Sequence, residues 1–402
     1  MAYARIGYAY AVTWGLADKA KPYLEKAFRL ADRLTEKDRL YITGWYQIAN
    51  LDYAGAISSF QEIRTKYPLE IEAYVTLAHL LQGEERLEEA AEVARQALLI
   101  DAGAKKLYNE LGGLYLMVGR HDEAIAMFRH YVELAPKEPN AHDSLGLGYQ
   151  WTGHYAEAIQ EYERALALNP KFEVAVIHLG NVYFQQGRYR ESIAQYNRYV
   201  QAAASDMERA RGYHSIALVQ LKKGDLDEAE AMAKKAFGYD KLWIGVSIDI
   251  ALERGDVARA QRLLEQTSQW PYTERGARPN MRGMIYLRGR LKLKSGHAAE
   301  AVEDFKEALG QRPLIWDIDS LEDCLANAYL ELGRFEEAVS EYERILRLNP
   351  NYPLAHYHLA QAYERTGNVD RARDEYSRFL QIWETADTDL QEVLTARAKL
   401  NL

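Results

Sequence analysis

The chain has 402 residues, nearly half of them apolar, a formal net charge of −9 and a single cysteine, Cys324. The acidic balance argues against general nucleic-acid binding, and one cysteine excludes an internal disulfide framework. No apolar run approaches the ~18–20 residues that a membrane helix needs.

In chain order, Met1 to Trp14 reads as an apolar helix carrying Ile6, Gly7 and Tyr10. It turns at Gly15 into a second helix with Ala20, Leu24 and Ala27. A second unit from Arg39 has Gly44, Ala56, Phe60, Ile63 and Pro68. Its turn is Asn50-Leu51-Asp52, with Asn50 in the place that glycine takes elsewhere. The third has Tyr74, Leu77, Ala78, Ala90, Ala94 and Ala97, and the fourth Tyr108, Leu111, Gly112, Gly119, Ala124, Phe128 and Pro136. The fifth is the most complete. It has Leu145, Gly146 and Tyr149, then Gly153, then Ala158, Tyr162 and Ala165, and finally Pro170. Gly146 removes a side chain where the second helix crosses, and Gly153 suits a left-handed cap. Pro170 disfavours helix at Asn169.

The alanine mark recurs at Ala56, Ala90, Ala124 and Ala158, with Ser192 next, in steps of 34 residues. Small, aromatic, small, proline at this period resembles the tetratricopeptide repeat over nearly the full chain. The resemblance implies an all-α fold, a right-handed α-solenoid of about eleven helical hairpins with a C-terminal capping helix. After the sixth unit the spacing loosens, with alanines at Ala229, Ala260, Ala301, Ala338 and Ala372. The expected organisation is a regular array over 1–206, irregular repeats over 207–316 with a loop at 270–280, and two repeats plus the cap over 317–402. All form one continuous solenoid. Repeat eight, near Leu242–Gln266, has lost its aromatic and proline marks. Cys324 is expected inside a helix Asp319–Leu330 as a small buried residue. Asp387-Thr388-Asp389 offers an N-cap to a last helix with Leu390, Val393 and Leu394 on one side.

The tail, Phe379-Leu380-x-x-Trp383-x-x-Ala386-Asp387, is similar to the closing segment of tetratricopeptide regions in bacterial signalling proteins. There the repeats follow a serine/threonine kinase or DNA-binding domain. The segment Leu34 to Ile42 resembles their second-repeat entry. This chain has no glycine-rich phosphate loop and no His-Arg-Asp segment, so no kinase activity is implied.

No serine-nucleophile elbow or Walker loop is present. His356 and His358 are two apart and face different ways on a helix, whereas zinc favours i, i+4. The expectation is therefore no catalytic residue, no metal and no cofactor. In the resembled architecture the first helices line a concave groove. Counted from the pattern, its inward positions are His79, Asn109, Asp143, Trp151, Asn181, Phe184, His214, Tyr286, Arg290, Asn327 and Tyr357. Trp151 and Phe184 read as an aromatic floor for an extended peptide, and the asparagines as two-sided hydrogen-bonding groups for its backbone. The lysines of a chaperone-tail clamp are missing. A non-catalytic scaffold for a protein or peptide follows, with the docking arm of a bacterial signalling protein as its setting. The alternative is a polyanion or nucleic-acid site on Arg254 to Lys294, where ten Lys/Arg face three Asp/Glu. The helix at Met1 has no polar cap, and Tyr3, Tyr8 and Trp14 add aromatic surface. This predicts either a preceding segment or a homodimer through the first repeat, with a frayed first repeat as the plainer alternative. The chain reads as soluble: cytoplasmic if complete, periplasmic if cut from a membrane-anchored receptor.

Overall fold

The computed structural model describes residues 2–13, 17–267, 278–310 and 323–402. Among these residues every regular element is helical. The helices pair as antiparallel hairpins in sequence order, eleven in all, followed by a last helix, Gln391–Leu400. They fall in two compact units, Met1–Leu134 with hairpins one to four and Ala135–Leu402 with the rest.

Hairpin five, Pro139–Trp151 and Tyr155–Leu168, shows how the repeat marks act. Tyr162 is fully buried, and a Cβ on Gly146 would come within 2.7 Å of its ring. The glycine thus sets the closest approach of the two helices. Ala158 and Ala165 are fully buried on the facing stripe, where close packing leaves no room for larger groups. Ala158→Leu is therefore expected to cost roughly 1–3 kcal/mol by overpacking. Its exposed neighbour Glu157 should tolerate alanine within about 0.5 kcal/mol. Urea denaturation of the two variants checks the helix phase.

The turns correct one expectation. The left-handed residue of hairpin two is Leu51 (φ 62°), not Asn50. Asn50 keeps a negative φ and its Nδ2 donates to Tyr46 O at 2.8 Å. Leu51, Glu85, Gly119, Gly153 and Gly187 all have positive φ, one repeat apart. Another position is reused with different chemistry. Tyr74 Oη donates to Pro68 O and Tyr108 Oη to Ala102 O. His142 and His356 place Nε2 at 3.0 and 2.9 Å from Pro136 O and Pro350 O. Each side chain thus satisfies a loop carbonyl ahead of its helix.

In the first unit, helix Ala2–Tyr8 continues as a short π-helical stretch, Ala9–Thr13. Tyr8 packs on Trp45 of hairpin two (4.9 Å between ring centroids), and Arg5 reaches Glu72 at 3.2 Å. Tyr3 is partly exposed beneath Lys26. Trp14 lies outside the described residues.

The second unit curls until hairpin six, Glu173–Gln185 and Tyr189–Ala202, meets hairpin eleven, Pro353–Arg365 and Val369–Ile382. Phe184, Tyr189, Tyr357, Phe379 and Trp383 share one buried cluster. Trp383 Nε1 donates to Gln185 O at 2.8 Å, and Asp387 N donates to Gly187 O at 3.0 Å. At hairpin five, a Cβ on Gly153 would meet Asn349 and Asn351.

Three further expectations change. The last helix has Leu390 at its N-cap position and no side-chain cap; Asp387 instead accepts from Arg190 N in hairpin six. Its buried stripe is Leu390, Val393 and Ala396, with Leu394 about half exposed. The helix Arg278–Lys294 starts inside the expected 270–280 loop; proline is tolerated in a first turn, where its missing N–H has no partner to lose. Residues 268–277 lie outside the described residues. Cys324 opens its helix, Cys324–Glu331, rather than sitting mid-helix, and it is buried; 311–322 likewise lie outside the described residues.

Candidate functional site

Within the second unit, the first helices of successive hairpins border two recesses that share the helix Asp206–Lys222. The first encloses about 480 Å³. It is lined by the apolar side chains Leu218, Leu221, Leu293, Phe305 and Cys324, by Tyr286, and by the polar side chains Lys222, Asp249, Glu253, Arg290, Asn327 and Glu331. Arg290 forms ion pairs with Asp249 and, at 2.5 Å, with Glu253. Burial pushes the Asp249 carboxyl up, while Arg290 pulls it down. Lys294 lies 3.4 Å from Glu331. Arg290, Asp249, Glu253, Lys294 and Glu331 thus meet in opposite-sign pairs beside apolar side chains.

The second recess, about 540 Å³, is bordered by Val174, Asn181, Tyr199, Met207, Arg211, His214 and Trp243. His214 lies against Trp243, 4.6 Å between ring centroids, and its Nδ1 is shielded from solvent with no hydrogen-bond partner. Burial, reinforced by Arg211, holds the His214 imidazole down to about 4. Across the unit His358 is also held down to about 4 by burial and Lys222, while burial pushes Asp323 up to about 6.

These groups predict the acid response. Each histidine is neutral in the fold but takes a proton near pH 6.5 once unfolded. The stability it contributes is therefore lost as pH falls from about 6.5 through 4, on the order of 3 kcal/mol each. Asp323 acts in the opposite sense. It is protonated in the fold below about 6, so its contribution is present at low pH and is lost as pH rises from about 4 through 6. One histidine is roughly offset, leaving a net loss on acidification. Denaturation at pH 7, 5.5 and 4.5 reads this slope, and His214→Phe should flatten it.

Models of the tetratricopeptide repeat match residues 2–33 and 210–241, 40–69, 81–146 and 152–214, and 325–387. The chain belongs to the tetratricopeptide repeat family. It is 26% identical over 182 residues to tetratricopeptide repeat protein 37 of Xenopus laevis, covering 45% of this chain and 10% of that protein. It is 32% identical over 68 residues to a tetratricopeptide repeat and J domain-containing co-chaperone of Cryptococcus neoformans, covering 17% and 13%. The chain therefore spans about a tenth of the length of these relatives. Among solved structures it is similar to a tetratricopeptide repeat protein from Parabacteroides merdae (18% identity, 73% of this chain and 98% of that one, TM-score 0.41). It is also similar to YrrB, described as having an unusual peptide-binding site (20% identity, 46% and 94%, TM-score 0.34).

The tetratricopeptide pattern picked eleven inward positions, and the structure separates them into groups. Tyr286, Arg290 and Asn327 meet in the first recess, and Asn181 and His214 border the second. Asn181 and Asn327 each accept a hydrogen bond from a tyrosine of their own hairpin, Tyr196 at 2.8 Å and Tyr342 at 2.6 Å. Asp143 is buried, 3.0 Å from His178 Nδ1. Phe184 and Tyr357 are buried in the cluster that joins hairpins six and eleven, and Trp151 is half-buried against the cluster of hairpins nine to eleven. No open floor joins Trp151 and Phe184, because the curl places the unit's own repeats against both. In the first unit, His79 is exposed 3.5 Å from Glu110, which raises its pKa, and Asn109 is half-buried.

Trp243, Lys222 and Asp249 escaped the pattern. Trp243 sits in a 3-10 turn, Lys241–Ile244, where the period is broken. Lys222 ends a first helix of 17 residues, three or four longer than most. Part of the basic stretch is met by carboxylates outside it, while Arg262 is exposed and makes no such pair among the described residues. Arg254 binds Asp227 at 2.6 Å, Arg259 binds Glu230 at 2.6 Å, and Arg288 and Lys292 both reach Asp304. Arg275 and the side chain of Arg278 lie outside the described residues. Among the described residues no cluster of His, Cys, Asp or Glu is arranged to hold a metal, and no helix is long and apolar enough to cross a membrane.

Proposed function

We propose that the chain is a non-catalytic scaffold that binds an extended segment of a partner protein along the first-helix face of hairpins six to ten, with anchoring side chains in the two recesses. The observation that carries this reading is the convergence of inward positions from successive repeats on adjoining recesses. Apolar or aromatic surface beside a few polar groups is the usual build of a recognition site. The surfaces of His79 and Asn109 belong to the same kind of face in the first unit. The likeness of Phe379–Asp387 to bacterial signalling proteins supports a docking or sensing arm as the setting. The carboxylates around the basic stretch leave little net positive field for a polyanion.

Photo-crosslinkers placed at Met207 and Lys222, both exposed, should capture the partner. One at Glu163, exposed on the second helix of hairpin five, should not. Met207→Glu and Lys222→Glu should each weaken capture from the other site. Equal capture from all three positions would overturn the inner-face assignment.

A further inference from the structure

The second recess holds a cation without a counter-charge. Arg211 is half-buried there. Its guanidinium meets the neutral Tyr199 hydroxyl, and among the described residues no carboxylate stands within ion-pair distance of it. Other half-buried arginines of the unit are met by carboxylates: Arg188 by Glu191, Arg259 by Glu230 and Arg290 by Asp249. Partial burial strips water from a guanidinium, and a carboxylate bound at both oxygens is the partner that best replaces it.

The neighbouring side chains leave that place open. Glu208 turns to the backbone, accepting from Ala204 N at 2.6 Å and Ser205 N at 2.9 Å as part of its own helix cap. Glu173 opens the helix Glu173–Gln185, where the positive end of the helix favours a carboxylate. His214 is held neutral by burial and by Arg211. At neutral pH Arg211 is therefore the one cation among the described residues that line the recess. The same recess offers apolar surface to solvent. Met207 is 66% exposed and Val174 37%, and Trp243 is half-buried against His214.

We propose that this recess selects a partner segment in which an acidic residue and a large apolar residue are separated by one position. The carboxylate pairs with Arg211, and the apolar side chain packs on Trp243 and Met207. The spacing follows from an extended backbone, in which alternate side chains share a face. A volume of about 540 Å³ lies within the usual range for a ligand pocket. This names the partner chemistry of the site proposed above and rests on that reading.

The probes are random displayed peptides selected on the full chain. Those captured by a photo-crosslinker at Val174 are remade with both ends blocked, so that no terminal carboxylate contributes. They should carry Asp or Glu two places from Trp, Phe, Leu or Met. Changing that acid to its amide should weaken binding to the unaltered chain about tenfold. Arg211→Gln should weaken the parent peptide equally and the amide peptide no further, because the two changes remove the same contact. Arg211→Lys should restore part of the loss, as a point charge without the planar fork. Should Arg211→Gln lose its helical circular dichroism, the acid-to-amide comparison on the unaltered chain decides alone. Captured peptides whose acid can be replaced without loss overturn this proposal and leave the scaffold reading standing. Capture at Lys222 alone does the same. A selection in which no peptide is captured at Val174 or at Lys222 overturns both.

Discussion

Trp383→Ala is expected to lower the unfolding free energy of the Ala135–Leu402 unit by about 3–5 kcal/mol. The side chain is 3% exposed, packs on Phe379 at 4.8 Å between ring centroids, and fills the contact with hairpin six. Truncation leaves a cavity and also strips Gln185 O of its indole donor. In a stack whose energy is mainly a sum of neighbour terms, this contact joins hairpins that are not neighbours. Its loss should therefore uncouple the two ends of the unit before it unfolds any single hairpin. Hydrogen exchange should show early loss of protection at the Asp387 amide. Leu77 and Leu81 in the other unit should be unchanged. Trp383→Phe keeps most of the ring and should cost far less. A change below about 1 kcal/mol for the alanine variant would mean that the closing contact contributes little.

Arg290→Ala is the second large effect, about 3–5 kcal/mol. Asp249 is 9% exposed and Arg290 is its ion-pair partner. Removing the guanidinium strands the carboxylate rather than merely deleting a bond. The sign of the pH dependence follows from burial. Burial already pushes the Asp249 carboxyl up, and the guanidinium opposes that push. Without Arg290 the folded-state pKa rises further, and the cost of ionising the buried group grows with pH. The deficit against the unaltered chain should be larger at pH 8 than at pH 5 in urea denaturation. Replacing both partners by apolar residues of similar volume should recover most of the loss. A deficit that does not change with pH would show that Asp249 stays solvated.

The hairpins were legible because each repeat mark answers a local demand. Gly146 yields to Tyr162, Ala158 to its facing helix, and Gly153 to a left-handed turn. Where the demand was met by another residue, the reading slipped by one place, as at Leu51. The recess residues Tyr286, Arg290 and Asn327 were reachable because they occupy regular first-helix positions. Trp243 was not, because a 3-10 turn interrupts the count there. The fate of Phe184, Trp151 and Tyr357 was out of reach for a different reason. Their burial depends on curvature summed over the intervening hairpins, and no local window carries that sum. Asp387 was read as a helix cap and is one, but of a helix far earlier in the chain.

The meeting of Gly187 with Trp383 also makes the second unit count its own hairpins. An open array can gain or lose one 34-residue module by duplication or deletion, since every junction resembles the next. Here a module inserted between hairpins six and eleven would carry Trp383 past its seat, and a deletion would stop it short. Length variation by whole repeats is thus compatible with Met1–Leu134, whose described residues show no such closure, and penalised between Gly187 and Trp383. The evolutionary freedom of this stretch lies in substitution, not in copy number.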